Sequence, residues 1–264
     1  MPDRKVALGL AALLLILPGC ANPGDGAKPT HAQSPVARTP SPPPSLLLFT
    51  KTAGFRHDSI PAGIAAVKMI ADKHRIELTA TEDPAVITDA RLSAISAVIF
   101  LNTSGDLLND EQQGALERFV RAGGGFAGIH AAADTEHDWP FYGELVGARF
   151  ANHPPGIHRA TVRVEDPLHP STLGLPETWE RIDEWYNFAS NPRAGVHVLA
   201  NLDESTYSGG SMGDHPIAWL HNVDAGRSWY TAGGHTQESY AEPAFLDHIE
   251  GGILWAAGLD SGQR

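Results

Sequence analysis

Residues 123–134 carry the arrangement with the clearest chemical meaning in this sequence. The segment reads GGGFAGIHAAAD and places His130 among small residues. Small residues on both sides of one functional side chain, at the end of a predicted strand, predict a tight turn between strand and helix. Such an elbow presents that side chain at the top of a sheet. An imidazole presented in this way acts as a base, an electrophile or a metal ligand near neutral pH. Asp134, one turn later, is expected on the same helical face, where its carboxylate would hold the ring.

Other polar side chains fall where the sequence predicts loops or strand ends. His57 follows the first predicted strand, and His235 follows a late strand through two glycines. The segment DEWY places Glu184 beside two aromatic residues, and an acid beside flat apolar rings suits sugar hydroxyls and sugar faces. The residues predicted to contact a substrate are His57, Asp134, Trp185, Tyr186, His215 and Glu238.

We predict that three of these positions, His130, Glu184 and His235, form one catalytic site. Chemistry beside a carbonyl needs a base with a pKa near neutrality and a donor to the enolate, and neutral histidine with a carboxylate supplies both. An alternative makes His130, His215 and His235 ligands of a divalent metal ion such as zinc. No pair of these histidines has the i, i+4 spacing of a helical zinc motif, so the sequence requires no cofactor and leaves a metal open.

The elements that must position these residues alternate between strands and helices in the first half. Ser59 is predicted to cap a helix with Pro61 in its first turn, and a second helix begins at Asp110. The predicted strands of this half cover 45–50, 75–81, 97–103 and 126–129. Such alternation predicts a doubly wound, mostly parallel α/β sheet with its site at the carboxyl ends of the strands.

The second half has few helical patterns before a predicted helix at 243–257. Its predicted strands cover 158–165, 196–202, 217–221 and 228–232. Because these strands are joined by loops rather than helices, we expect an antiparallel extension at one edge of the parallel sheet.

The first 20 residues predict a lipoprotein signal peptide. Arg4 and Lys5 precede an uncharged apolar run, which is shorter than the about 20 residues that a membrane-spanning helix needs. The run ends in LPGC, which resembles a lipobox and predicts lipidation of Cys20. The mature chain is therefore expected to be exported and anchored to a membrane, at the periplasmic side or the cell surface.

Composition defines the remaining organisation. Residues 21–44 are rich in proline and small residues, which predicts a disordered tether, and 45–260 are long enough for one α/β domain. The formal charge of −12 disfavours nucleic acid and anionic lipid surfaces as partners but is compatible with a carbohydrate. Cys20 is the only cysteine, which excludes an internal disulfide and a thiolate nucleophile in the folded part.

Several motifs in order resemble those of ThuA-like (trehalose utilisation) domains. They are KTAGFRHDSI, GGGFAGIHAAADT, DEWYNF, DHPIAW and SWYTAGGHTQESY, between about 45 and about 258. The resemblance implies a fold similar to class I glutamine amidotransferases, which is flavodoxin-like and carries a catalytic cysteine at the elbow. His130 stands at that elbow here, so no glutaminyl thioester forms and glutaminase activity is not expected.

The resemblance also implies a link to trehalose and related disaccharides, at the level of oxidised 3-keto sugars. We therefore expect an exported protein that acts on a disaccharide or 3-keto sugar by isomerase, lyase or hydrolase chemistry. Two alternatives remain at this point. One is a metal-dependent hydrolase that uses the same histidine and glutamate cluster. The other is a surface lipoprotein that binds carbohydrate without catalysis, with Trp139, Trp185 and Tyr186 as stacking platforms.

Overall fold

A nine-stranded mixed sheet runs through the centre of the protein, seen in a computed structural model that describes residues 43–260. The strands are β1 (Ser45–Phe49), β2 (Glu77–Thr81), β3 (Ala97–Leu101), β4 (Gly125–Ile129), β5 (Phe150–Asn152), β6 (His158–Val164), β7 (Thr178–Asp183), β8 (Asn187–Phe188), β9 (His197–Asp203), β10 (Pro216–Val223) and β11 (Gly226–Thr231). The helices are α1 (Ile60–His74), α2 (Asp89–Leu92), α3 (Asp110–Arg121), α4 (Pro140–Val146) and α5 (Pro243–Ala257). The predicted signal peptide, Cys20 and nearly all of the predicted tether lie outside the described residues.

The order of the strands confirms the predicted fold class. It is β2-β1-β3-β4-β11-β10-β9-β6-β7, while β5 and β8 pair separately. The first five strands of this order are parallel, and the last four extend the sheet in antiparallel fashion from β11. The connection reverses between β1 and β3, as in flavodoxin-like sheets, where ligands bind beyond the carboxyl ends of the strands.

Helices cover both faces of the parallel part. On β11, Trp229 packs against Gly252 of α5, while the neighbouring Ser228 donates to the carbonyl of Leu145 in α4. Successive strand residues point to opposite faces, so α4 and α5 lie on opposite sides of the sheet. None of the helices within residues 43–260 is both long and apolar enough to cross a membrane.

The differences from the predictions include three local features. The side chain of Ser59 does not cap α1 and instead donates to the carbonyl of Gly234, 3.1 Å away. A short 3-10 helix, His130–Asp134, follows the elbow in place of an α-helix. Strand β7 was not predicted, because its buried face carries Trp179, Arg181 and Asp183 and so lacks the usual apolar alternation.

A buried histidine on α5 makes stability depend on pH. The Nδ1 of His248 lies 2.7 Å from the carbonyl of Ser171, and its Nε2 lies 3.0 Å from the hydroxyl of Thr231. These contacts satisfy a neutral ring, and burial lowers the pKa of His248 to about 3. The unfolded chain takes up this proton near pH 6.5, so acidification between pH 6.5 and about 3 favours unfolding.

We expect this residue alone to cost about 2 kcal/mol of unfolding free energy at pH 5 relative to pH 7. Urea unfolding of the wild type and His248→Gln across this range measures the difference. The wild type should show the steeper loss of stability on acidification. Parallel curves for the two proteins would show that His248 takes no part in the pH dependence.

Candidate metal centre

Four side chains converge at the carboxyl end of the sheet. His57, His130, Glu184 and His235 each offer one ligand atom, and these atoms all lie within 4.8 Å of one another. The three histidines follow β1, β4 and β11, which are parallel and end at the same edge. Glu184 follows β7, which reaches this edge from the antiparallel extension. The structure therefore brings together the three residues predicted to be catalytic and adds His57.

The elbow fixes both the backbone and the ring of His130. Its φ angle is 50°, in the left-handed region, and the hydroxyl of Tyr230 donates to its carbonyl at 2.8 Å. The ring Nδ1 lies 2.7 Å from the carbonyl of Ala232. A carbonyl only accepts, so Nδ1 carries the hydrogen and the Nε2 lone pair points into the cluster. Metal-binding histidines are commonly oriented by such a bond on their other nitrogen.

Asp183, which is not itself in the cluster, fixes the backbones of Glu184 and His235. Its fully buried carboxylate accepts from the backbone N–H groups of Glu184, Gly234 and His235 at 2.9 to 3.0 Å. The buried guanidinium of Arg181 lies 3.3 Å from the same carboxylate and balances its charge. One carboxylate thus joins the loop that carries Glu184 to the loop that carries His235.

Three of the separations within the cluster are close to those between the ligands of one metal ion. The Nε2 of His130 lies 3.3 Å from His235 Nδ1 and 3.5 Å from Glu184 Oε2, and the last two atoms are 3.2 Å apart. Charge-assisted hydrogen bonds to a carboxylate are shorter, about 2.7 to 2.9 Å. Ligand atoms at about 2.0 to 2.1 Å from a tetrahedral ion are about 3.3 to 3.4 Å from one another.

His57 gives an independent sign that the cluster fits a cation. Its Nδ1 is buried and has no hydrogen-bond partner among the described residues. A buried polar atom left without a partner is costly, so this nitrogen is a candidate ligand for a bound cation. The donor set, imidazole with one carboxylate, suits zinc and neighbouring divalent metals.

The pKa values of His57, Glu184 and His235 are shifted by burial and by their neighbours in the cluster. Burial, together with the nearby rings of His130 and His235, lowers the pKa of His57 to about 3. Burial opposes ionisation of Glu184, but the neighbouring imidazoles of His130 and His235 hold its pKa well below the usual range. Burial lowers the pKa of His235, and the hydrogen bond and charge of Glu184 outweigh this and raise it. A metal ion bound at His235 would compete with its proton, so metal affinity is expected to fall on acidification.

His153 is a residue of this site that the sequence did not single out. Its Nδ1 lies 3.1 Å from Glu184 Oε1, the carboxylate oxygen turned away from His130 and His235, and 2.9 Å from the carbonyl of Pro154. The side chain is 35% exposed, so it stands at the mouth of the cluster. His153 flanks a Pro-Pro-Gly turn and belongs to no recognisable motif. Only its contact with Glu184, which is distant in the sequence, identifies it as part of the site.

Two aromatic residues predicted to contact substrate are instead buried. Trp185 is fully buried, and its indole N–H donates to the carbonyl of His158 at 2.8 Å. Tyr186 is 3% exposed and packs at a tilt against the ring of His130, with centroids 4.3 Å apart. Trp139 is partly buried against the core. Neither Trp185 nor Tyr186 presents a free face, so neither is a platform for a sugar.

Three further predicted residues lie outside the cluster. Both ring nitrogens of His215 are engaged, Nδ1 by Glu204 Oε1 and Nε2 by the carbonyl of Tyr186, each at 2.8 Å, so none is free for a metal. Asp134 pairs with His137 at 2.7 Å and does not hold His130, whose ring is fixed by a backbone carbonyl. Glu238 is exposed at the start of a short 3-10 helix.

Comparisons with known proteins agree with the observed fold. A ThuA-like protein from Bacteroides uniformis superposes with a TM-score of 0.70 at 23% identity, covering 84% of this chain and 95% of that chain. One from Parabacteroides merdae gives a TM-score of 0.67 at 19% identity, with 84% and 92% covered. A search of curated proteins gave no match. The family model described as ThuA, trehalose utilisation, matches residues 45–256, and the chain therefore belongs to the ThuA family.

Proposed function

We propose that this chain is an enzyme that binds one divalent metal ion through His57, His130, Glu184 and His235. The observation that carries the proposal is the set of three separations, 3.2, 3.3 and 3.5 Å, among the ligand atoms of His130, Glu184 and His235. They are long for hydrogen bonds between charged groups and match the edges of a coordination tetrahedron. Zinc is the first metal to test, because it binds imidazole and carboxylate ligands in this geometry.

The substrate that we propose is a disaccharide oxidised to a keto-sugar. The family description, trehalose utilisation, supports a disaccharide, and a sugar without charge is compatible with the chain's net charge of −12. A metal ion in this cluster would polarise a carbonyl or hydroxyl oxygen of the sugar. A polarised carbonyl makes the adjacent C–H more acidic, which is the chemistry predicted from the sequence.

In this proposal some residues of the site hold the metal in place and others contact the substrate. The ring of His130 is held by the carbonyl of Ala232, and the backbone N–H of Glu184 donates to the carboxylate of Asp183, so the His130 ring and the Glu184 backbone stay in place when substrate enters. His235 and His153, with side chains 25% and 35% exposed, are the imidazoles that substrate can reach. We assign to His153 the removal of the C–H proton and its return to the leaving or neighbouring oxygen, because its ring is not needed to hold the metal.

The proposal is tested by metal binding and turnover together. Full-length protein is stripped with a chelator, titrated with zinc, cobalt and manganese, and assayed on trehalose, sucrose and their 3-keto derivatives. We expect one ion per chain and turnover of a keto-sugar only when the metal is present. Failure to bind any of these ions would contradict the metal centre. Metal binding with neither binding nor turnover of any of these sugars would contradict the substrate.

We also propose that the chain is exported and held at a membrane through Cys20. The support is the sequence alone, a basic start and an apolar run that ends in LPGC. Replacing Cys20 with Ser should move the protein from the membrane fraction to the soluble fraction without changing its melting temperature, because a proline-rich segment separates this residue from the domain. Cell fractionation measures the shift. Membrane association that survives the substitution would contradict lipidation at Cys20.

A further inference from the structure

Phe55 exposes an aromatic ring directly beside the metal cluster. Phe55 is 66% exposed, and within residues 43–260 every other phenylalanine, tyrosine and tryptophan is buried or partly buried. The ring packs edge-on against His57, with centroids 4.8 Å apart. Exposing a ring of this size to water opposes folding, and it contributes little to the core. A ligand that covers the ring would give it a function.

The exposed ring stands on a fixed backbone. The N–H groups of Ala53 and Gly54 donate to the carbonyl of Ser104 at 2.7 and 3.1 Å, and the hydroxyl of Ser104 donates to the carbonyl of Phe55 at 2.7 Å. Arg56 pairs with Glu82, directly after β2, at 2.6 Å. The loop is therefore ordered without a ligand, so binding on the ring requires little loss of backbone entropy.

The ring of Phe55 also lies close to the metal cluster. The ring of His57 lies 4.8 Å from that of His130 and 5.0 Å from that of His235, so a single imidazole separates Phe55 from two other members of the cluster. The partly exposed members of the site are His235 and His153, which marks the open side. A sugar that binds at the cluster, and is larger than one ring, is within reach of Phe55.

We propose that Phe55 is the stacking platform of the substrate site and packs against the apolar C–H face of a pyranose ring. This inference rests on the proposed function and adds a specificity determinant to it. Carbohydrate sites pair polar groups that take hydroxyls with flat apolar surfaces that take the C–H face, and here the cluster and Phe55 supply the two. A disaccharide would place one ring at the metal and the other on Phe55, which selects two-ring substrates over single sugars.

The test compares three variants of the zinc-loaded, full-length protein. Phe55→Ala removes the platform, Phe55→Tyr keeps it, and Met69→Ala removes another exposed apolar side chain, on α1. Calorimetry with trehalose and 3-keto-trehalose measures affinity, and zinc affinity is measured in parallel. We expect Phe55→Ala to weaken disaccharide binding about tenfold with zinc affinity unchanged. Phe55→Tyr and Met69→Ala should match the wild type.

The outcomes separate the platform from the proposed function. Wild-type affinity for disaccharide in Phe55→Ala would overturn the platform and leave the function standing. No binding of either sugar by the wild type would overturn the proposed substrate and the platform with it. Sedimentation of the same samples adds one more outcome. If Phe55→Ala dissociates an oligomer and keeps its sugar affinity, the ring belongs to a subunit contact and the platform is overturned.

Discussion

Replacing His130 with Asn should reduce zinc affinity by about 10² to 10³ while the domain stays folded. Structural zinc sites gain about 10 to 16 kcal/mol from four ligands, so the loss of one ligand removes roughly a quarter of that, about 3 to 4 kcal/mol. Asn tolerates the φ of 50° at this elbow better than other substitutes, and its amide reaches toward the carbonyl that holds the ring. Competition with a chromophoric chelator measures the affinity.

The matched control is His137→Asn on the same loop. His137 is exposed and pairs with Asp134 rather than with the cluster, so its replacement should leave zinc affinity unchanged. Zinc should raise the melting temperature of the wild type and of His137→Asn, and should have much less effect on His130→Asn, since ligands that bind only the native state stabilise it. Equal zinc affinity in His130→Asn and the wild type would contradict the metal centre.

The largest loss of stability is expected from Asp183→Asn. The substitution leaves the guanidinium of Arg181 buried with less compensating charge, and breaking a buried pair in this way costs about 3 to 5 kcal/mol. It also turns an amide NH₂ toward groups that donate to the carboxylate, among them the N–H groups of Gly234 and His235. Urea unfolding of metal-free protein measures the loss.

A surface pair provides the comparison for this prediction. Asp89 and Arg118 form a bidentate pair at 2.8 to 2.9 Å, but both are exposed, so solvent screens the interaction. Asp89→Asn should therefore change the unfolding midpoint very little. If Asp183→Asn unfolds at the same urea concentration as Asp89→Asn, Asp183 does not organise the site.

The parallel half of the fold could be predicted because its signals are local. Segments such as 45–49 and 97–101 are continuous apolar runs, which suit strands buried on both faces. The meeting of His130, Glu184 and His235 followed from placing them at strand ends of one sheet. The elbow was recognisable because small residues surround His130 on both sides.

The features that sequence reasoning missed depend on contacts across the fold. Arg181 and Asp183 point inward on β7, an arrangement that becomes favourable only when Trp179 and Phe245 enclose the guanidinium. The sequence pattern of residues 178–183 therefore did not predict strand β7. Trp185 was predicted to be a sugar platform because an aromatic beside an acid has the same local pattern whether it faces the solvent or the core.

His57 and His215 show that the sequence alone does not tell which histidines are available as metal ligands. Both were predicted to contact substrate, and His215 was also a candidate metal ligand. The structure places His57 in the cluster, whereas Glu204 and a backbone carbonyl engage both nitrogens of His215. The loop that carries Glu204 is eleven residues from His215, and no spacing in the sequence marks that contact.

The position of β11 has a consequence for the order in which the protein can be built. This strand is the last along the chain, yet it lies between β4 and β10 and joins the parallel half of the sheet to the antiparallel half. During synthesis β4 therefore has an unpaired edge until almost the whole chain has emerged. A product that stops before Gly226 lacks both the joining strand and His235. Bound metal would then report a complete domain, because one ligand arrives only with the strand that closes the sheet.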